Sequence, residues 1–147
     1  TIKKNSYNNF TKTFKRLKNG KNKILLNKLK ATNDYSISEL KEKMWCKGDV
    51  LKYYNVYNND KILNSTQFEG GRIFILKNDK TMKIFRKLWN TAKKYPELFD
   101  DSESSIADKE EFIEARHDQS NISLLCKISD NCSGVDLDFI SATRISD

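Results

Sequence analysis

The sequence predicts an α/β fold, a mixed sheet with flanking helices in one domain, and three observations carry that expectation. Arg72 to Lys77 is an apolar run bounded by Gly70-Gly71 and Asn78-Asp79, the pattern of a buried strand. Behind it Ile84, Phe85, Leu88, Trp89 and Ala92 recur at helical intervals until Pro96 breaks the pattern. A second helical pattern, Ile122, Leu124, Leu125 and Ile128, is followed by Gly134 and by an alternating stretch from Val135 to Ile140 that reads as a terminal strand. Strand, helix, loop, helix, strand is the order of a helical layer on a sheet.

From the start of the chain, Tyr7, Phe10, Phe14 and Leu17 line one face of an amphipathic helix that Gly20 can end, and that face is expected to meet the core. Ile24 to Leu29 is a short apolar run, either a strand or another helix. Asp34 to Glu42 mixes turn formers with Ile37 and Leu40, and Asp49 to Tyr54 reads as a short helix capped by Asp49. Asp79 is the expected cap of the long central helix. Residues 100–111 form a polar, acidic loop long enough to count as a functional-loop candidate, after which Phe112-Ile113 is expected to re-enter the core.

A chain of 147 residues has room for one domain, which buries about two-thirds of its unfolded surface. Charged residues reach 32%, but aromatics at 11% argue for a folded core under a polar surface. The net charge is +7, with lysines crowded into the first thirty residues and acids between Glu97 and Glu114. Such a front attracts a polyanion such as nucleic acid, an anionic membrane or a nucleotide diphosphate, although a lysine-and-asparagine compositional bias is the more ordinary explanation. The three cysteines, Cys46, Cys126 and Cys132, include no C-x-x-C pair, so neither a disulfide framework nor a zinc cluster is expected. No run approaches a transmembrane span. Asn-x-Ser/Thr triplets at Asn9, Asn64, Asn121 and Asn131 are expected by chance in so asparagine-rich a chain. P-loop, dinucleotide-fold, zinc-protease and serine-hydrolase motifs are missing. The basic front keeps a polyanion- or nucleic-acid-binding module, or an inactive truncated protein, as the alternative reading, although with no zinc-finger or RNA-recognition signature nucleic acid is not the expected partner.

Three constellations could carry chemistry. Glu114 to Ser120 places the single histidine beside an arginine, a carboxylate and an amide at the mouth of a helix, where unpaired N–H groups favour anions and hydroxyls. Asp118 can accept hydrogen bonds from sugar hydroxyls, Gln119 can donate and accept beside a reacting carbon, and Arg116 can balance a diphosphate. Simple helix capping explains the same residues. In Trp45-Cys46-Lys47-Gly48-Asp49, the indole can stack on a sugar ring while Lys47 and Asp49 read hydroxyls or phosphate, although a tryptophan so placed is more often core. In Gln67-Phe68-Glu69-Gly70-Gly71, the glycines let a ligand approach the backbone or mark a bulge.

Phe112 to Ser120 with Ser123-Leu124-Leu125 resembles the F-x-E-x-R-H-D-Q-S-x-x-S-L-L signature of a group of microbial and viral glycosyltransferases similar to the wider GT-A class. In the same order as that group, Trp45 to Val50 resembles its W-[TC]-K-x-D-[VL] block, Gln67 to Leu76 its glutamine, small residues and strand, and Phe139 to Ile145 its closing F-x-A-T-R-I. The resemblance covers nearly the whole chain. It implies transfer of a sugar from a nucleotide-diphosphate donor to a carbohydrate or other hydroxyl acceptor, in polysaccharide or glycan biosynthesis, with Mn²⁺ or Mg²⁺ neutralising the leaving diphosphate.

By that resemblance Asp118 and Gln119 are catalytic, with Asp118 on donor-sugar hydroxyls or acting as base and Gln119 facing the anomeric carbon. Trp45, Lys47, Asp49, Gln67, Glu69, Gly70, Gly71, Arg116, His117, Ser120 and Arg144 are substrate-binding. Ala115 and Asn121 depart from the pattern. The acidic metal motif of the class has no counterpart here, so the chain is expected to be the carboxyl-terminal half of the enzyme. The nucleotide- and metal-binding half is expected upstream, and residues 1–147 alone are expected to be inactive. A cytoplasmic or membrane-associated location is expected.

Overall fold

The computed structural model describes residues 2–137, with side chains from residue 7 onward. Arg144, the closing block from Phe139 to Ile145 and the far end of the terminal strand predicted to reach Ile140 lie outside the described residues.

Residues Ile2–Asn19 form helix α1, Ile24–Lys28 strand β1, Phe68–Ile75 strand β2, Asp79–Lys94 helix α5, His117–Ile128 helix α6 and Cys132–Val135 strand β3. Between β1 and β2 stand three short helices, α2 (Glu42–Trp45), α3 (Gly48–Tyr53) and α4 (Asp60–Leu63). The sheet has the order β2-β1-β3, with β1 antiparallel to β2 and parallel to β3. The expected α/β architecture of a mixed sheet with flanking helices holds at this level. Ile24 to Leu29 is thereby resolved as strand: it is the central strand, buried on both faces, and needs an unbroken apolar run instead of alternation.

Each side of β1 has its own core. Leu25 faces Leu17 of α1, Val135 and Leu137, with Phe74 and Leu76 packed around them. Ile24 and Leu26 face α5 and α6 through Ile84, Phe85, Ile122 and Cys126. A third cluster joins α3 and α4 to α6, with Val50, Leu51, Tyr54 and Leu63 against Leu124 and Leu125. Helix α6 therefore touches both the sheet and the short helices, and its N-terminal end lies where they meet.

Several elements differ from the sequence reading for identifiable reasons. Of the α1 stripe only Leu17 is buried; Tyr7 is 70% exposed, and Phe10 stays half-exposed although its ring meets Phe74 of β2 at 5.5 Å. Trp89 likewise points to solvent at 65% exposure while Ile84, Phe85 and Leu88 face the core. Helix α5 is capped one residue earlier than expected, by Asn78, whose side chain accepts from the Thr81 N–H at 2.9 Å. Lys47 precedes α3 as its N-cap residue, and Asp49 lies inside the first turn with its carboxylate turned to the 105–106 backbone. Ile113 remains 47% exposed, so the chain does not re-enter the core there. Cys126 and Cys132 form a disulfide that pins the end of α6 to β3, a pairing that counting cysteines did not suggest. Asn121, one of the glycosylation triplets, is fully buried in α6 and bridges the Tyr54 hydroxyl and the Leu98 carbonyl.

Strand β2 carries the feature that shapes the site. Leu26 pairs with Ile73, but the next residue, Asn27, pairs with Glu69, so residues 70–72 bulge away from β1. The two glycines expected to bound the strand lie inside it, at this bulge.

Candidate functional site

A polar row runs along α6 beneath its apolar faces. Ser120, Ser123 and Lys127 stand at helical intervals of three and four; Ser123 and Lys127 reach the fully buried Glu42 of α2, while Ser120 accepts from Gln67 Nε2 at 3.4 Å beside it. The Glu42 carboxylate takes a hydrogen bond from Lys127 Nζ at 2.7 Å and a short one from the Ser123 hydroxyl. It also accepts from Gln67 Nε2 at 2.9 Å and from the Cys46 thiol at 3.2 Å. With four donors the buried charge is satisfied, as its burial demands. Burial, then the Glu42 carboxylate beside it, pushes the Cys46 thiol well above the ordinary thiol range. Burial lowers the Lys127 ammonium, while Glu42 opposes that shift.

The row reaches the surface through Gln67. Its Oε1 accepts from Gln119 Nε2 at 2.8 Å, and Gln119 Oε1 accepts from the Gly70 N–H of the bulge at 3.4 Å. Gly70 is a glycine for steric reasons, since a Cβ there would stand 3.3 Å from Gln119 Cα. Gln119 is thus gripped at both ends of its amide, leaving one N–H and one lone pair. Next to it Asp118 is exposed in the first turn of α6, and its carboxylate makes no hydrogen bond or ion pair to any described residue. An acid there is stabilised by the positive end of the helix dipole.

His117 opens α6 with φ 48°, in the left-handed region. A non-glycine held there costs about 1–3 kcal/mol and persists only where its surroundings impose it. Here His117 Nε2 meets Asp101 Oδ1 at 2.6 Å and its carbonyl accepts from Asn121 at 2.9 Å. The acidic loop is in this way tied to the mouth of the helix.

The sequence-derived residues divide into two groups. Arg116, His117, Asp118, Gln119, Ser120, Gln67 and Gly70 come together where β2 meets α6, and Gly71 follows on the same bulge. The Ser120 hydroxyl donates to the Trp45 carbonyl at 2.5 Å, which brings the tryptophan block to the same place through its backbone. The Trp45 ring, however, is 1% exposed; it donates to the Glu39 carbonyl at 2.8 Å, meets Tyr35 edge-on and carries the Arg116 guanidinium at 4.1 Å. No face of it is open to a sugar. Arg116 Nε faces Glu114 at 3.5 Å.

Lys47 is 3% exposed and spends its ammonium on the carbonyls of Glu97 at 2.6 Å, Ser102 at 2.7 Å and Asp100 at 3.4 Å. Asp49 accepts from the Ser105 and Ile106 N–H groups at 2.9 and 2.8 Å. Both residues hold the acidic loop instead of facing the Asp118 surface. Glu69 is paired with Asn27 Nδ2 at 2.6 Å across the sheet.

Sequence reasoning missed Glu42, Ser123 and Lys127. Glu42 closes the stretch of turn formers from Asp34, where nothing marks it for burial; the available signal was the Ser120, Ser123, Lys127 spacing, a polar stripe on an otherwise apolar helix. Among the described residues no group of three or more His, Cys, Asp or Glu side chains could hold a metal ion. No described helix is long and apolar enough to cross a membrane. Comparison of the chain with protein-family profiles, with curated proteins and with solved structures finds no match.

Proposed function

We propose that this chain forms the donor-sugar side of a nucleotide-sugar-dependent glycosyltransferase of the GT-A kind, with Asp118 and Gln119 at its centre. The observation that carries the reading is the contrast between those two neighbours. Gln119 is fixed by Gln67 and by the bulge at Gly70, while Asp118 presents an unpartnered carboxylate beside it. The signature residues around Gln67, Trp45 and Asp118, 49 to 75 positions apart in sequence where they bond, meet at this point.

In the reaction the acceptor oxygen forms a bond to the anomeric carbon as the bond from that carbon to the diphosphate breaks, and the nucleoside diphosphate leaves. Asp118 accepts hydrogen bonds from donor-sugar hydroxyls; in an inverting transfer it takes the acceptor's hydroxyl proton. The remaining N–H and lone pair of Gln119 face the anomeric centre, preorganised by its two anchors. The divalent cation such enzymes use would be held by residues outside the described ones, where it would neutralise the leaving diphosphate.

Saturation-transfer NMR with a panel of nucleotide-diphosphate sugars tests the proposal. The account expects weak binding in which sugar protons saturate more strongly than base protons, lost in Asp118→Asn and Gln119→Ala. Saturation confined to the base, or unchanged in both variants, would overturn it. No sugar transfer is expected from this chain by itself, and clear turnover with donor and metal would refute that expectation.

A further inference from the structure

A groove of about 1180 Å³ lies away from the Asp118 surface, between α5 and the far end of α6. Its walls carry Lys21, Lys80, Lys83, Arg86, Lys87 and Lys94 against one acid, Asp130. All six cations are exposed, and none makes an ion pair with any described residue. Elsewhere on this chain several cations do have carboxylate partners, as in Lys30 with Asp136, Lys43 with Glu111 and Lys127 with Glu42. A solvated helix face of ordinary composition intersperses charges of both signs, which lower its self-repulsion. From Lys80 to Lys94 this one has no acid at all.

We propose that this groove binds single-stranded nucleic acid, through its phosphates and without sequence preference. Two features select that ligand from among polyanions. Lys80, Lys83, Lys87 and Lys94 repeat at three, four and seven residues, a row of charges rising about 1.5 Å per residue along one face of α5. The groove also contains two aromatic rings, Tyr53 and Tyr95, with centroids 5.7 Å apart, and Lys94 lies over Tyr95 at 5.2 Å. A polymer that brings both a negative charge and a flat unstacked ring in every repeating unit uses both features, and this is how sequence-tolerant single-strand sites are built.

A bilayer is flat where this surface is concave. Moreover, α5 has already committed its apolar side to Ile84, Phe85 and Leu88 in the core, so it has no second apolar face to insert. A duplex keeps its bases stacked inside, out of reach of the tyrosines. The proposal is independent of the glycosyltransferase reading, and it concerns a different face from the lysines of α1.

Fluorescence anisotropy of a labelled oligothymidylate of about twelve nucleotides, a length within single-strand site sizes, gives the test over a salt series. Binding should weaken with salt at a log–log slope of about −0.7 for each phosphate engaged. Lys83→Glu, Lys87→Glu and Lys94→Glu together should weaken it at least about tenfold. Lys12→Glu, Lys15→Glu and Lys18→Glu on α1, with the same change in net charge, should leave it within about twofold. All six are exposed side chains, and thermal melting confirms that each triple variant is folded; glutamine versions replace any that is not. Equal loss in the two triples, stronger retention of duplex, heparin or anionic vesicles than of the single strand, or no binding at low salt would each overturn the proposal.

Discussion

Glu42 and Asp118 are carboxylates in opposite circumstances. Glu42 has no exposure and four donors, so removing its cation leaves a bare buried charge; Lys127→Met is expected to cost about 3–5 kcal/mol in a urea titration. Asp118 has solvent and no partner, and Asp118→Asn should change stability by no more than about 0.5 kcal/mol. A large loss from Asp118→Asn would mean that the residue serves the fold.

Two neutral acids of the interior set the alkaline limit. Burial raises Cys46 and, with Tyr53 as a smaller cause, Tyr54, so the folded chain keeps protons that the unfolded chain gives up above about pH 8.5 for a thiol and 10 for a phenol. Their contribution is complete below those values and falls as pH rises through them. Melting temperature should decline progressively above about pH 8.5, less steeply in Tyr54→Phe and Cys46→Ala. Asp118 and Gln119 were legible as residues because the histidine block is dense in polar types at a helix start. Glu42 was not, since its burial depends on α2 folding under α6, a contact 81 residues distant in sequence at Ser123.

At the scale of elements, the bulge in β2 sets Gly70 against Gln119 and the site beside it, whereas a Cβ at Gly71 would meet only ordinary contacts. Gly70→Ala must move Gln119 by a few tenths of an ångström, because the new Cβ would stand 3.3 Å from its Cα and 3.4 Å from its Cβ. The expected result is a modest loss of stability with a larger loss of donor-sugar contact, read by saturation transfer. Gly134→Ala is the control: its Cβ would fall 2.4 Å from the Phe68 ring, and overpacking of about 1–3 kcal/mol is expected with no special effect on Asp118.

The disulfide closes a short loop between α6 and β3, and reduction should lower stability by about 2 kcal/mol, seen as a shift in the urea midpoint with reductant. The run at β1 left its type open and the short helices α2 and α4 are too brief to show a period, whereas strand β2 and helices α5 and α6 followed the apolar periods. Caps and strand ends did not, because Asn78 and Asp79 are equally good caps by residue type and the bulge is set by pairing with Asn27.

At the scale of the molecule, α6 is the joint. One face lies on the sheet, another on the short helices, and its polar row links the buried Glu42 to the bulge and the open carboxylate. Segments that the sequence offers as separate blocks therefore meet in the fold, but Gln67 and Ser120, expected to bind substrate, are buried beneath the Asp118 surface, and the Trp45 ring, Lys47 and Asp49 serve the core and the acidic loop. That division was not readable beforehand: a tryptophan, lysine and aspartate have the right chemistry for a sugar site, and only packing shows that their donors and faces are already used. The central claim is that a donor sugar docks at Asp118. Amide shift mapping during titration with a nucleotide-diphosphate sugar tests it most directly. The account predicts that Asp118, Gln119 and Gly70 shift together and that Asp118→Asn abolishes the response while the spectrum stays folded. Shifts confined to other surfaces, or a response that survives in Asp118→Asn, would contradict it.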